Sequence, residues 1–271
     1  SNMKIIVDAF GGDNAPLEIL KGCAQAVSEY NINILLVGSK KIIEKVAKEN
    51  QILLYRIEIF DTEDVMTMED DPSEILKSKK NSSMACGLRL LSEGEGDAFI
   101  SAGNSGALVM GATFIVKRIK GIKRCAFAPV IPKDKGCFML IDCGANVECR
   151  PEMLKQFGVM GSVYMESVMG VKKPRVGLIN VGVEEHKGGE FQHEAYQRLK
   201  DSDLNFIGNV EARDILGDAV DVVVTDGFTG NIMLKMYEGV AKTLMGKFKN
   251  ILTKNITNKI AAAVLMKDIK D

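Results

Sequence analysis

The chain has 271 residues, 46% of them hydrophobic, with 35 lysines and arginines against 36 aspartates and glutamates and a formal net charge of -1. A chain of this size buries roughly 70 to 75% of its unfolded surface, as one large domain or two closely packed ones, and its near-neutral balance excludes a global attraction for nucleic acid or an anionic membrane. The six cysteines form no C-x-x-C pair, which suits reduced core thiols in a cytosolic protein and argues against a structural metal.

Ser1-Asn2 reads as a scar of tag cleavage ahead of a natural start at Met3. Short apolar runs then predict strands at IIVDAF from Ile5, ILLVG from Ile34, IEIFD from Ile57, AFISA from Ala98, AFAPVI from Ala126, FMLIDC from Phe138, VGLINV from Val176 and VVVTD from Val222. Segments with apolar residues at i, i+3 and i+4, such as Leu17 to Tyr30 and Pro151 to Gly170, predict helices between them. Strands apolar throughout, alternating with helices, predict a three-layer α/β/α fold with a mostly parallel sheet, drawn as one α/β domain over 1–271. An antiparallel pair is expected between Ala126 and Cys143, because Lys133-Asp-Lys-Gly136 is too short for a helical crossover. No stretch approaches the ~20 apolar residues of a membrane span.

Five strands end in a short polar, glycine-rich element: Asp8-Ala-Phe-Gly-Gly-Asp13, Ser101-Ala-Gly-Asn-Ser-Gly106, Asp142-Cys-Gly-Ala-Asn146, Asn180-Val-Gly-Val-Glu-Glu185 and Thr225-Asp-Gly-Phe-Thr-Gly-Asn231. Carboxyl ends of parallel strands line one edge of an open α/β sheet, so the five predict a shared ligand site. Glycines there admit a ligand to the backbone, and helix-start amides attract an anion. Taken singly, each element reads as an ordinary strand-to-helix turn. Neither G-x-G-x-x-G nor G-x-x-x-x-G-K-[ST] occurs, so a small phosphate suits the site better than a nucleotide. Ser105 could donate its hydroxyl to such a ligand; Asn104 or Ser105 could equally cap a helix. Ser105 as a covalent nucleophile is disfavoured, since no G-x-S-x-G elbow surrounds it and His186 and His193 are the two histidines.

Several stretches together resemble one family: DAFGGDNAP from Asp8, KNSSM from Lys80, ISAGNSGA from Ile100, DCGANV from Asp142, NFIGNVEARD from Asn205 and VVTDGFTGN from Val223. They are similar to the bacterial phosphate acyltransferases of the PlsX type, acyl-acyl-carrier-protein:phosphate acyltransferases of phospholipid synthesis. The resemblance implies a fold related to phosphotransacetylases and isocitrate dehydrogenases, and a cytoplasmic homodimer that works near the inner face of the membrane. The reaction it implies moves a fatty acyl group from a carrier-protein thioester to inorganic phosphate, and a membrane glycerol-3-phosphate acyltransferase takes the product. No cofactor or metal is expected, because phosphate attacking a thioester needs no activated water.

With that reaction in view, Gly103, Asn104, Ser105 and Gly106 are assigned to phosphate or carbonyl binding and Lys187 to charge stabilisation. Asp226 and Asn231 would orient Lys187 or the reacting groups, while Asp8, Gly11, Gly12, Asp13, Asn146, Gly227 and Gly230 complete the rim. Each carboxylate could instead be a cap or turn former, and Lys187 a solvated charge; His186 ranks below Lys187. Phe10, Ser105 and Cys143 stand where relatives often carry Met, Thr and an aliphatic residue, and relatives are expected to continue past Asp271. Lys117, Arg118, Lys120 and Arg124 form a basic cluster suited to an acidic carrier protein. From Lys235 to Asp271, lysines alternate with Val240, Leu244, Phe248, Ile251, Leu252, Ile256, Ile260 and Val264 at helical spacing, a basic amphipathic region for a core, a dimer face, anionic lipid or an acidic carrier protein. A coenzyme A-dependent short-chain phosphotransacetylase, a nicotinamide-dependent dehydrogenase of the same fold and a non-catalytic carrier-protein or membrane scaffold stand as alternatives.

Overall fold

The computed structural model describes residues 3–269, and the side chains of residues 3–265. Ser1 and Asn2 therefore lie outside the described residues, as do the side chains of Lys267, Asp268, Lys270 and Asp271 from the basic C-terminal reading. The backbone divides into two compact units, 1–125 and 126–271. Where the sequence predicts one sheet there are two, one in each unit.

In the first unit, β1 (Lys4–Asp8), β2 (Asn33–Gly38), β3 (Ile57–Asp61) and β4 (Ala98–Ile100) form a parallel sheet of order β3-β2-β1-β4. Alternate residues feed opposite faces. Val7, Ile34 and Leu36 pack with Leu20, Cys23 and Val27 of α1 (Leu17–Tyr30) and Ile43 and Ala47 of α2 (Lys40–Glu49). On the other face Ile6, Leu35 and Val37 meet Cys86 and Leu90 of α3 (Ser83–Ser92). Three helices start on a polar cap that satisfies otherwise orphaned amides: Ser39 for α2, Ser82 for α3 and Asn104 for α4 (Ser105–Gly111). A π-helical turn, Ala112–Val116, follows α4.

The second unit has strand order β5-β6-β9-β7-β8, with β5 (Val130–Pro132), β6 (Cys137–Ile141), β7 (Val176–Ile179), β8 (Phe206–Val210) and β9 (Val222–Val224). The β5–β6 pair is antiparallel, as the short Lys133–Gly136 connection requires, and the other pairs are parallel. Strand β8, inside the Asn205–Asp214 motif, escapes the sequence reading because Gly208 and Asn209 interrupt its apolar run. One face is covered by α5 (Pro151–Ser167) and α6 (Glu190–Lys200), through Phe157, Met165, Ala195 and Leu199. The other meets α7 (Gly227–Leu252) only through its first turns, at Met233 and Leu234. Beyond them Val240, Leu244, Phe248 and Ile251 stay exposed, with Phe248 57% exposed, and α8 (Ile256–Ile269) adds Ile256, Ile260 and Val264 to the apolar surface.

A buried ammonium closes the loops that precede these strands. Lys133, with its side chain only 2% exposed, lies 3.4 Å from Asp218 and 3.6 Å from Asp221, and Arg175 donates to both carboxylates. Burial pushes the Asp221 carboxyl up, yet the bonds and charge of Arg175 more than offset it and hold the group below the ordinary carboxylate range.

Candidate functional site

Each unit gathers its polar turns at the carboxyl ends of its strands. In the first, β1 ends in Asp8, a carboxylate almost wholly buried. Its Oδ1 accepts from the Phe10 amide at 3.1 Å and the Ser83 hydroxyl at 2.6 Å, and its Oδ2 accepts from the Ser101 hydroxyl at 2.8 Å. Ser101 Oγ accepts in turn from the Gly103 amide at 3.1 Å. A buried charge is tolerable when such donors surround it, and the chain Asp8–Ser101–Gly103 sets the backbone of the turn before α4. A Cβ on Gly11 would lie 2.7 Å from Ser101 Oγ and 2.8 Å from Asp8 Oδ2, so only glycine lets the two turns approach this closely. Gly12, with φ +105°, and the exposed Asp13 continue the same loop.

The side chain of Asn104 is committed to local structure. Its Oδ1 accepts from the Ala107 amide at 3.0 Å, and its Nδ2 donates at 3.1 Å to the carbonyls of both Thr67 and Asp70. Of the two roles open to it in the sequence, the helix cap is the one its contacts describe. Ser105 is exposed at the first position of α4, and Gly106 follows it.

In the second unit the turn after β6 is organised by Asp142, fully buried at 0% exposure. Oδ1 accepts from the amides of Phe127, Cys143 and Ala145 at 2.9, 2.7 and 3.2 Å, and Oδ2 from the amide and Nδ2 of Asn146 at 2.7 and 3.1 Å. Helix α7 starts against this turn: the Gly227 amide donates to Asn146 O at 2.9 Å, and Asn231 Nδ2 donates to Cys143 O at 3.2 Å. A Cβ at Gly230 would fall 1.9 Å from the Asp142 carbonyl oxygen, closer than any real contact, so Gly230 is there for the close approach of two backbones. Asp226 caps α7 by accepting from the Thr229 amide at 2.9 Å.

Asp226 also borders a polar recess of about 360 Å³, lined with Asn180, Gly188, Gly189, Gln192, Thr225 and Thr229. Above β7, the Glu184–Gly188 loop carries Lys187. Asn180 Nδ2 donates to the Lys187 carbonyl at 3.0 Å, and the Lys187 amide donates to Glu184 O at 3.1 Å. The half-buried Lys187 side chain lies over Gly182, where a Cβ would come within 3.0 Å of its Cε and Cγ. The recess combines two helix starts with amide and hydroxyl side chains, donors suited to an anionic group, but the Asp226 carboxylate also lines it and the Lys187 side chain does not. The larger groove of about 440 Å³ between α7 and the β5–β6 pair is mostly apolar, lined by residues such as Phe138, Leu140, Met233 and Val240, with Arg213 and Tyr237 its polar side chains.

The sequence reading passed over Asp142, Ser83 and Ser101 as individual residues. The signal was present for Asp142, the sole carboxylate of its turn, but its role depends on donors from Phe127 to Asn146 that converge only in three dimensions. The basic residues Lys117, Arg118, Lys120 and Arg124 lie on an exposed loop after the π-helical turn, where the Arg118 guanidinium donates to the Lys123 carbonyl.

The sequence profile of the family described as fatty acid synthesis protein matches residues 3–271. The chain belongs to that family. A protein of Acetivibrio thermocellus named phosphate acyltransferase is 47% identical over 269 residues, covering 99% of this chain and 79% of that protein. One of Clostridium botulinum with the same name is 47% identical over 270 residues, covering 99% and 81%. Among solved structures, a phosphotransacetylase from Streptococcus pyogenes superposes with a TM-score of 0.68 at 15% identity, over 89% of this chain and 82% of that one. EutD phosphotransacetylase from Staphylococcus aureus gives 0.66 at 16%, over 89% and 83%. These structural likenesses establish the fold: mixed α/β with mostly parallel sheets, as the sequence predicts. Within this family member two cysteines lie in or beside the Asp142–Asn146 turn. Burial, helped by the Asp142 carboxylate, pushes the Cys143 thiol up to about 11, and burial pushes Cys149 up to about 11. Both are protonated at neutral pH and poor nucleophiles.

Proposed function

We propose that the protein transfers a fatty acyl group from an acyl carrier protein thioester to inorganic phosphate. A phosphate oxygen attacks the thioester carbonyl, the tetrahedral oxyanion collapses, the C–S bond breaks, and acyl phosphate and the carrier's thiol are released. The observation that carries this reading is the 47% identity over nearly the whole chain to proteins named phosphate acyltransferase. Phosphate is itself the nucleophile, so the protein's work is positioning and charge stabilisation. The turn Gly103–Gly106 with Ser105 binds the phosphate or the carbonyl, its backbone held by Asp8 and Ser101. Lys187 stabilises the developing negative charge, while Asp226 and Asn231 fix the start of α7 through Thr229 and Cys143. With a long-chain acyl carrier protein, thiol release and hydroxylamine-trapped acyl phosphate are expected to appear together and only with phosphate present. Thiol release without phosphate would reassign the protein as a thioesterase, and activity with short-chain acyl-coenzyme A alone as a phosphotransacetylase.

The carrier protein docks, on this reading, at the loop bearing Lys117, Arg118, Lys120 and Arg124, all exposed, with the exposed Phe114 and Ile119 alongside. Positive charge there steers an acidic partner. Charge reversal at the four positions is expected to raise KM for the acyl carrier about tenfold with kcat held; an unchanged KM removes this docking surface.

The exposed apolar stripe of α7 and α8 supports a homodimer whose other face reaches anionic lipid on the cytoplasmic side, where the acyl phosphate is handed to a membrane acyltransferase. No helix among the described residues is long and apolar enough to cross a membrane. Replacing Leu244 and Phe248 by Asp is expected to yield monomers in sedimentation and to reduce flotation with anionic vesicles. Dimers that persist while flotation is lost would leave the stripe to lipid alone, and no change in either would remove it from both roles.

A further inference from the structure

The motif Asn205–Asp214 supplies strand β8 but no residue to the site described so far. Within it, Asn209 is paired in register with Leu178 of β7 and is only 5% exposed. Its Nδ2 donates to the Glu184 carbonyl at 2.9 Å, while its Oδ1 has no hydrogen-bond partner among the described residues. A buried amide oxygen without a partner is costly, and an apolar side chain at this strand position would avoid the cost. What such a side chain could not supply is the Nδ2 donor, and that donor holds the first residue of the Lys187 turn.

Glu184 O accepts from two groups, Asn209 Nδ2 and, at 3.1 Å, the Lys187 amide. The Lys187 carbonyl is held by Asn180 Nδ2 at 3.0 Å, and a ring nitrogen of His193 on α6 lies 2.9 Å from the His186 carbonyl. Asparagines at the ends of two adjacent parallel strands therefore set both ends of the turn, and a helix side chain sets its middle. Exposed loops of this kind otherwise open readily. We propose that Asn209 is a positioning residue for Lys187, with His193 as a second pin, so that the ammonium is preorganised before substrate arrives. The proposal rests on the reading that Lys187 stabilises charge in the reaction.

The test compares Asn209→Leu, Lys187→Ala and the double variant. Asn209→Leu removes the donor and the unpaired oxygen together, so thermal stability is expected to hold or rise. Its kcat is expected to fall by up to about a hundredfold, as slight misplacement of a reacting group can produce, with KM for both substrates nearly unchanged. Amide hydrogen exchange at Lys187 and Gly188 is expected to accelerate, a readout independent of what Lys187 does chemically. In the Lys187→Ala background Asn209→Leu is expected to cost nothing further, because the two act as one unit. Wild-type kcat in Asn209→Leu beside a slow Lys187→Ala, unchanged exchange in the turn, or additive losses in the double variant would each overturn the proposal. Wild-type kcat in Lys187→Ala would instead overturn the charge-stabilising reading itself, leaving the exchange result to judge the pinning. Should Asn209→Leu fail to fold, His193→Ala at an exposed position loosens the same turn and is judged by the same exchange and kcat criteria.

Discussion

Lys187→Ala is expected to lower kcat by roughly 10²- to 10³-fold, the loss seen when one preorganised donor to a developing oxyanion is removed, with kcat/KM falling in parallel. The expectation starts from the turn. Its backbone is tied at Glu184 O by Asn209 of β8 and at Lys187 O by Asn180, the residue after β7, so the lysine stem starts from a fixed backbone when charge develops. Lys187 forms no part of either core cluster of its unit, and its removal should leave the free energy of unfolding within about 0.5 kcal/mol of the parent. Steady-state kinetics beside urea denaturation separate the outcomes. A wild-type rate would remove Lys187 from the mechanism, and a large loss of stability would mean that the rate reports folding rather than chemistry. Lys187→Arg should recover only part of the rate, because a planar guanidinium does not place its charge where a compact ammonium does.

Asp142→Ala is expected to destabilise the second unit by about 4 kcal/mol or more, the range reached when a buried hydrogen-bonded network is broken. Four backbone amides and the Asn146 side chain donate to this one carboxylate. Its loss orphans all of them within a turn on which α7 also leans, through Gly227, Gly230 and Asn231. Asp142→Asn should be milder, since the amide oxygen keeps half of the accepting capacity while its NH2 group faces donors. The measurement is the urea midpoint with its slope. A midpoint for Asp142→Ala equal to the parent's would mean that water replaces the carboxylate without loss and that the turn does not depend on it.

Much of this molecule is determined by sequence pattern acting over short distances. Each of the eight apolar runs contributes to a strand, although AFAPVI does so only through Val130 and Ile131, and helix α1 occupies Leu17 to Tyr30 as its periodicity predicts, because strand and helix periods are properties of consecutive side chains. The antiparallel β5–β6 pair follows from a connection too short to hold a helix. The glycine-rich turns at the strand ends are legible for the same reason, since positive φ and helix starts are local demands.

Only the tertiary structure decided what the polar residues of those turns do. Asn104 is spent on Thr67 and Asp70, Asp226 on its own helix start and Asn231 on Cys143 O. Asp8 becomes a hub because Ser83 and Ser101, 75 and 93 residues away in the chain, converge on it. A hydrogen bond specifies its partner by distance and angle within a few tenths of an ångström, and nothing in the spacing of residues that far apart encodes that geometry. The division into two sheets, and the exposure of the apolar stripe on α7, follow from the same cause. Periodicity states that a face is apolar, but only the packed chain reveals whether that face meets the chain's own core.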